Sequence, residues 1–411
     1  MSKLTSTDCA LATKSRLFIC AISCSPPGTM GGNTKITVEM ARCLAPTRET
    51  HVFLPQYKLP TFTGNLPPNH KVALHPLDDF PGNDKYHPVT LTRWYASRVR
   101  KLFESLNVGP DDVVFDCSDF HGDVLPIFQL QRKFGFRWIP SVFLFVPFIV
   151  ENLRRGYRFP PLKYVVYWFY QRALFVLMKR RATGFVVTNE SDFARFPKRF
   201  RDGRLFPYYG GVNVEQLPAA ASAKSRDVVF CSRLHPQKGI DDFLDVWKMV
   251  RQQLPTARFS AIGNGDPAYE RMLREKAERL GIADSVEWLG YVNNEAKFRI
   301  YGEARVFVHP TIFDNNGMVA AEALCAGLPV VMYDLPALRH VYTTGCAKVP
   351  YGDKRAFAAA VVSLLADPAK YAATAPTPDQ VAALRAHWRW ESRAAEFDRW
   401  LDSQNLMAIR E

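Results

Sequence analysis

Residues 313–331 read FDNNGMVAAEALCAGLPVV, a pattern that no ordinary core helix requires. Asp314 stands in a turn-rich Asp-Asn-Asn-Gly run, an alanine-rich helix follows, and Glu322 comes eight positions after the first acid. Gly327 then ends the helix and an apolar strand begins. The run before it, VFVHP (306–310), reads as a strand, so Asp314 lies just past a carboxyl end, where doubly wound sheets bind their ligands. Gly317 and Met318 open the helix, whose first N–H groups lack partners and carry partial positive charge, a ready phosphate site. Gly317 has no side chain to obstruct that approach. Glu322, about a turn into the helix, is placed to reach the hydroxyls of a ribose beside the phosphate. The alternative reading is a helix capped by Asp314 or Asn315, with Glu322 on a solvated face.

Outward from this stretch, apolar runs alternate with amphipathic segments, the signature of parallel α/β architecture. RLFICAIS (16–23) reads as a strand, PPGTMGGN as a loop and TKITVEMARCLA (34–45) as a helix. THVFLP (50–55), DVVFDC (112–117) and RWIPSVFLF (137–145) are further strands. After TGFVVTN (183–189) and GRLFPYYGGVNVE (203–215), the stretch 216–226, QLPAAASAKSR, has the small, polar composition of a linker. A second series follows: DVVFCSRL (227–234), a helix over 240–254, ARFSAIGNG (257–265), a helix over 268–281, and the strands SVEWLGYV, ARVFVHPT and LPVVMYD. The expectation is two doubly wound, Rossmann-like domains facing each other across a cleft, 1–215 and 227–385, with 386–411 as a C-terminal amphipathic helix. In that helix Trp390, Ala394, Phe397 and Leu401 share one face, able to pack back on the first domain.

The net charge of +13 is uneven. Residues 1–210 hold 29 Lys/Arg against 16 Asp/Glu, residues 211–411 hold 24 of each, and 151–204 alone carries 13 basic and 4 acidic residues. Such asymmetry points to an anionic partner for one domain. In 151–204 aromatic and aliphatic residues interleave with the cations, which suits an anionic membrane surface; the alternative is a buried helix with a solvated basic face. No nucleic-acid motif accompanies the charge. Eight cysteines show no CxxC spacing, LFICAI is too short for a signal peptide, and no apolar run reaches the roughly 20 residues a bilayer demands. The expectation is a cytoplasmic protein, peripheral on the inner face of a membrane.

CSRLHPQKG (231–239) puts Arg233 just past a strand end and Lys238 before the next helix, cations suited to a diphosphate. IGNGD (262–266) is a glycine loop after the next strand. In order and spacing, Arg233-Leu234 through Lys238-Gly239, Gly263-Asn264-Gly265, Leu289-Gly290-Tyr291-Val292, and Asp314 through Glu322-Ala323 to Gly327-Leu328-Pro329-Val330 resemble the retaining GT-B glycosyltransferases of family 4. The resemblance spans about residues 203–345. It implies the GT-B fold and a nucleoside-diphosphate sugar as co-substrate, UDP or GDP first, with no cofactor and no metal. It implies that Arg233 and Lys238 neutralise the diphosphate, that Glu322 holds the ribose, and that the backbone at Gly317, Met318 and Val319 meets the phosphates. Gly263, Gly265, Tyr291 and Val292 fall on the donor side. The first acid of the pair contacts the donor sugar; here it is Asp314, where the family most often has Glu.

GTMGGN matches the family's glycine pair after its first strand, so Gly31 and Gly32 are expected to close over the donor; otherwise they are a flexible loop. A histidine that many members carry in the first domain falls near Val146 here, and none lies between His121 and His235. Asp116, Asp119 and His121 are the polar candidates left on the acceptor side. The resemblance implies a metal-independent, retaining hexosyltransferase acting on a hydroxyl, with a lipid-linked or cell-envelope glycan as acceptor. The competing readings are a nucleotide-sugar epimerase on the same scaffold and a non-catalytic nucleotide-sugar-binding subunit.

Overall fold

The computed structural model describes residues 14–81, 88–146, 161–218 and 223–408. The chain divides into two compact units, one of Met1–Val142, Arg172–Phe185 and Ala394–Glu411, the other of Phe143–Gln171 and Val186–Arg393.

In the first unit, strands β1 (Leu17–Cys20), β2 (Thr50–Pro55), β3 (Ala73–Leu77), β4 (Val113–Asp116) and β5 (Arg137–Ile139) run parallel in the order β3-β2-β1-β4-β5. β1 and β4 are buried throughout, as expected of strands covered on both faces. Pro140 ends β5 because it offers no N–H to a ladder. The short strands β6 (Ser141–Val142), β7 (Phe185–Val187) and β8 (Leu205–Pro207) form a separate small sheet.

The second unit has its own parallel sheet. β9 (Arg226–Cys231), β10 (Phe259–Ile262), β11 (Val286–Gly290), β12 (Ala304–His309), β13 (Val330–Tyr333) and β14 (Cys346–Val349) lie in the order β11-β10-β9-β12-β13-β14. Counted within the unit this is 3-2-1-4-5-6, the dinucleotide-fold order. Its core gathers Phe243, Trp247, Phe259 and Phe357, with the Trp247 indole N–H donating to Ser285 at 3.0 Å.

The division of the chain differs from the expected break at 215. Residues 143–171 and 186–215 cluster with the second unit. Part of the reason is visible at Gly211, where a Cβ would stand 2.6 Å from the Trp390 ring, and at Val212, whose N–H bonds the Trp388 carbonyl at 2.7 Å. The expected linker is partly sheet, since Arg226 opens β9 and Lys224 donates to the Gly302 carbonyl at 2.9 Å; residues 219–222 lie outside the described residues.

The last helix is Trp390–Ala408, and Trp390, Ala394, Phe397 and Leu401 are all buried. From Ala394 on it belongs to the first unit, where Phe397 meets Phe115 edge-on at 5.9 Å. The Arg48 side chain is fully buried there, bound to Asp398 at 2.6 Å, to Asp402 and to the Ser15 carbonyl at 2.8 Å. Burial works against the Asp398 charge, but hydrogen bonds from Lys14 and Arg48 outweigh it and hold the carboxyl below its ordinary range.

Replacing Arg48 by Met strands these carboxylates and should cost about 3–5 kcal/mol of unfolding free energy, read from urea denaturation. Because the Asp398 pKa is depressed, its contribution is present above the unfolded value of roughly 3.9 and is lost as pH falls below it. The Met variant should show a shallower acid loss than the parent.

Candidate functional site

The loop from His309 to Gly317 leaves β12 and enters the helix Met318–Cys325. Gly317 takes a left-handed φ of 62°, and a Cβ there would stand 3.3 Å from His309 Nε2. The Tyr342 hydroxyl, buried and stacked on Trp388, donates to the carbonyls of Asn316 at 2.7 Å and Gly317 at 2.9 Å. Asp314 organises the rest. Its Oδ1 accepts the backbone N–H groups of Asn315 (2.9 Å), Asn316 (3.2 Å) and Gly317 (3.2 Å). Its Oδ2 accepts from Lys238 Nζ at 2.8 Å and lies 3.5 Å from His309 Nε2. Burial opposes the Asp314 charge, but Lys238 and His309 prevail and hold the carboxyl well below the usual range.

Two expectations change here. Asp314 shows its oxygens to the loop amides and to Lys238 and so shapes the turn before the helix. It does not cap the helix, whose start at Gly317 has no side-chain cap, and Glu322 is mostly buried, unlike the solvated residue of the alternative. The Gly317 N–H is likewise spent on Asp314, which leaves Met318 and Val319 as the helix-start donors that the helix itself does not pair.

The loop bearing Arg233 and Lys238 is fastened to the same place. Gln237 donates through Nε2 to the Phe313 carbonyl at 2.7 Å, and its own carbonyl accepts from Ile312 N–H at 3.1 Å. A Cβ on Gly239 would fall 2.0 Å from the Pro310 carbonyl oxygen, so only glycine admits this approach. Arg233 is exposed. Between the two cations His235 is driven to lower pKa, first by burial and then by the charges of Arg233 and Lys238.

Gly263 and Gly265 lie against the backbone of the loop after β9. A Cβ on Gly263 would stand 1.9 Å from the Ser232 carbonyl oxygen, and one on Gly265 2.2 Å from that of Leu234. The crossing backbones are bonded, Leu234 N–H to the Asn264 carbonyl at 2.9 Å. The glycine pair lets the two loops touch on either side of Arg233. Tyr291 is 79% exposed, and Val292 packs partly against the core.

Glu322 sits in the helix with Oε1 accepting from Lys297 Nζ at 2.8 Å, both side chains mostly buried. Its Oε2 is buried and has no hydrogen-bond partner among the described residues, and the same is true of Thr311 Oγ1 and both amide atoms of Asn316. Buried polar atoms are costly to leave unpaired. Lys297, on the helix Asn294–Glu303, escaped the sequence reading because it belongs to no motif and meets Glu322 only through the fold. A cavity of about 200 Å³ adjoins the loop, lined in part by Phe145, Asp192, Arg195, Asp314 and Asn315.

In the first unit, Gly31 precedes and Gly32 begins the helix Gly32–Leu44, and the Gly31 N–H donates to Ser25 Oγ at 2.9 Å. Asp116 is fully buried at the end of β4, where Oδ2 accepts the Trp138 indole N–H at 2.8 Å. Burial, then the neighbouring Asp123, pushes its pKa well above the ordinary carboxyl range. That environment is a core position, not an acceptor-facing one. Asp119 is also buried, and His121 is the first residue of the helix His121–Phe134. Val146, where the histidine was looked for, is buried, with its N–H donating to Gln171 at 2.9 Å.

Residues 225–367 match the sequence model of the family Glycosyl transferases group 1. Over 164 residues the chain is 34% identical to the phosphatidyl-myo-inositol mannosyltransferase of Mycobacterium leprae, a stretch covering 38% of this chain and 42% of that relative. The chain thus spans less than half the length of the curated relatives it matches. A solved sucrose-phosphate synthase from Thermosynechococcus elongatus is similar with a TM-score of 0.73 at 19% identity, over 96% of this chain and 100% of that one. The Anabaena protein HepE, solved in complex with UDP and glucose, gives 0.70 at 15% identity, over 95% and 100%. The likeness establishes the fold.

Asp116→Asn keeps an acceptor for Trp138 and removes the charge. A raised pKa means the folded wild type loses stability as pH climbs from roughly 3.9 toward the folded value, by up to about 1.4 kcal/mol per pH unit. The variant should therefore unfold at a higher temperature than wild type at pH 7, with the gap closing near pH 4. A gap that widens on acidification contradicts the assignment.

Proposed function

We propose, from the match of residues 225–367 to the sequence model of the glycosyl transferases group 1, that the chain moves a sugar from a nucleoside-diphosphate sugar to a hydroxyl acceptor. The observation that carries this reading is the buried, unpartnered Oε2 of Glu322, a few residues inside the helix whose first amides are open to an anion. A carboxylate held by Lys297 on one oxygen and bare on the other is set to accept a ribose hydroxyl. The diphosphate then meets the N–H groups of Met318 and Val319 and the cation of Arg233. Lys238, tied to Asp314, shapes the loop and adds positive charge beside the leaving group, where a preorganised charge is worth most.

Retention at the anomeric carbon follows from the family reading. The bond from the anomeric carbon to the phosphate oxygen breaks, the bond to the acceptor oxygen forms on the same face, and the departing phosphate oxygen takes the acceptor proton. The occupancy of both Asp314 oxygens supports a route without a carboxylate nucleophile from that residue. UDP is the first nucleotide to try, because HepE is solved with UDP and glucose; GDP is the next. A lipid acceptor is favoured by the name of the mycobacterial relative, a phosphatidyl-myo-inositol mannosyltransferase.

Titration calorimetry with UDP, GDP and ADP should find one that binds, and Glu322→Gln should weaken it by about 1.5–3 kcal/mol, the value of a hydrogen bond to a charged group. Wild-type affinity in that variant removes Glu322 from the site. Asp314 makes a separate prediction, since a loop-holding residue affects the nucleotide as much as its sugar. Asp314→Asn should weaken the free nucleoside diphosphate and its sugar conjugate by the same factor, about tenfold. Loss confined to the conjugate would make Asp314 a sugar contact after all.

A further inference from the structure

The helix Pro161–Arg181 presents an apolar stripe to solvent that sugar transfer does not use. Its buried side is Gln171, Leu174, Phe175 and Met178, spaced three and four apart. Opposite them Val166 (61% exposed), Phe169 (60%), exposed Ala173 and Val176 (43%) repeat at the same spacing and end on exposed Arg180. Residues so spaced lie on one face, and Val166 to Val176 spans about 15 Å along the axis. Helices apolar on both sides belong inside a protein or against lipid, and a contiguous exposed apolar face marks an interaction site.

The charge of the helix identifies what covers that face. Its 21 residues include Lys163, Arg172, Lys179, Arg180 and Arg181, and no Asp or Glu. The Lys179 ammonium stands 4.6 Å over the Phe175 ring, so its stem lies along apolar surface while its charge remains at the edge. Arg181 is engaged by the Phe128 carbonyl and ring, so exposed Arg180 is the cation that closes the stripe of Val and Phe, with Lys179 at its flank. A positive end beside an apolar stripe matches a surface that is negative above and hydrocarbon below. No single helix among the described residues is long and apolar enough to cross a membrane.

We propose that the face carrying Val166, Phe169, Ala173, Val176 and Arg180 docks the protein on an anionic lipid bilayer, the helix lying in the plane of the interface. The inference stands on exposure and charge alone and does not depend on the donor-site reading. It refines the basic region seen in the sequence to one face of one helix; residues 151–160 of that region lie outside the described residues.

The test is co-sedimentation of the full chain with vesicles of phosphatidylcholine alone and with about 30% phosphatidylglycerol, at low and high salt. Wild type should partition onto the anionic vesicles at least about tenfold more than onto neutral ones, and less so as salt rises. The triple substitution V166S/F169S/V176S, at exposed positions and checked for an unchanged melting temperature, should lower the partition about tenfold. Arg180→Glu should reduce the preference for anionic lipid while leaving the fold intact. Equal partition onto both vesicle types, or a folded triple variant that binds like wild type, overturns the proposal. So does a self-association in lipid-free solution that the triple variant abolishes, since the face then belongs to a second copy of the chain.

Discussion

The Asp314 carboxylate is the point on which the second unit's site turns. One oxygen gathers three successive backbone N–H groups and the other binds Lys238, so a single side chain shapes the loop after β12 and anchors the loop after β9. A carboxylate so surrounded remains ionised despite burial, and its charge in turn holds the lysine. Gly317 completes the turn in a left-handed conformation, braced by the Tyr342 hydroxyl. The helix then starts at Met318, beyond the three amides that Asp314 has already satisfied.

Steric constraints do the remaining assembly. Gly239 touches the Pro310 carbonyl, and Gly263 and Gly265 touch those of Ser232 and Leu234, at distances where any side chain would collide. These glycines bring the loops that follow β9, β10 and β12 together. The first unit uses its polar residues differently. Asp116 and Asp123 are enclosed near the ends of β1 and β4, and burial raises both pKa values. Ser23 and Ser118 donate to Asp123, and Trp138 to one oxygen of Asp116, the other being left without a partner among the described residues. They support the sheet and its loops from inside.

Much of this was legible in the chain itself. The period of apolar runs placed β2 at Thr50–Pro55 and β12 next to Asp314, and the spacing of Trp390, Ala394, Phe397 and Leu401 marked the buried face of the last helix. Such signals are local: a strand or helix face repeats within a few residues, and a glycine or proline announces the turn. The two parallel sheets followed from the repetition of that pattern. β3 and β14 went unread, because half-buried edge strands carry only a weak apolar pattern.

By itself, then, the sequence determined the α/β class, the order of the motifs along the second unit, the residues that begin the helix at Met318, and the concentration of positive charge in the first half of the chain. Tertiary structure alone decided what each side chain meets. It turned Asp314 inward to the loop amides and Lys238, placed Lys297 against Glu322, enclosed Asp116 in a core, and left Val166, Phe169 and Val176 outside one. The reason is physical: Lys238 and Asp314 are 76 residues apart and Lys297 and Glu322 are 25 apart, so their pairing depends on how strands stack and loops cross. A sequence records which groups are present, and only packing settles which of them are satisfied.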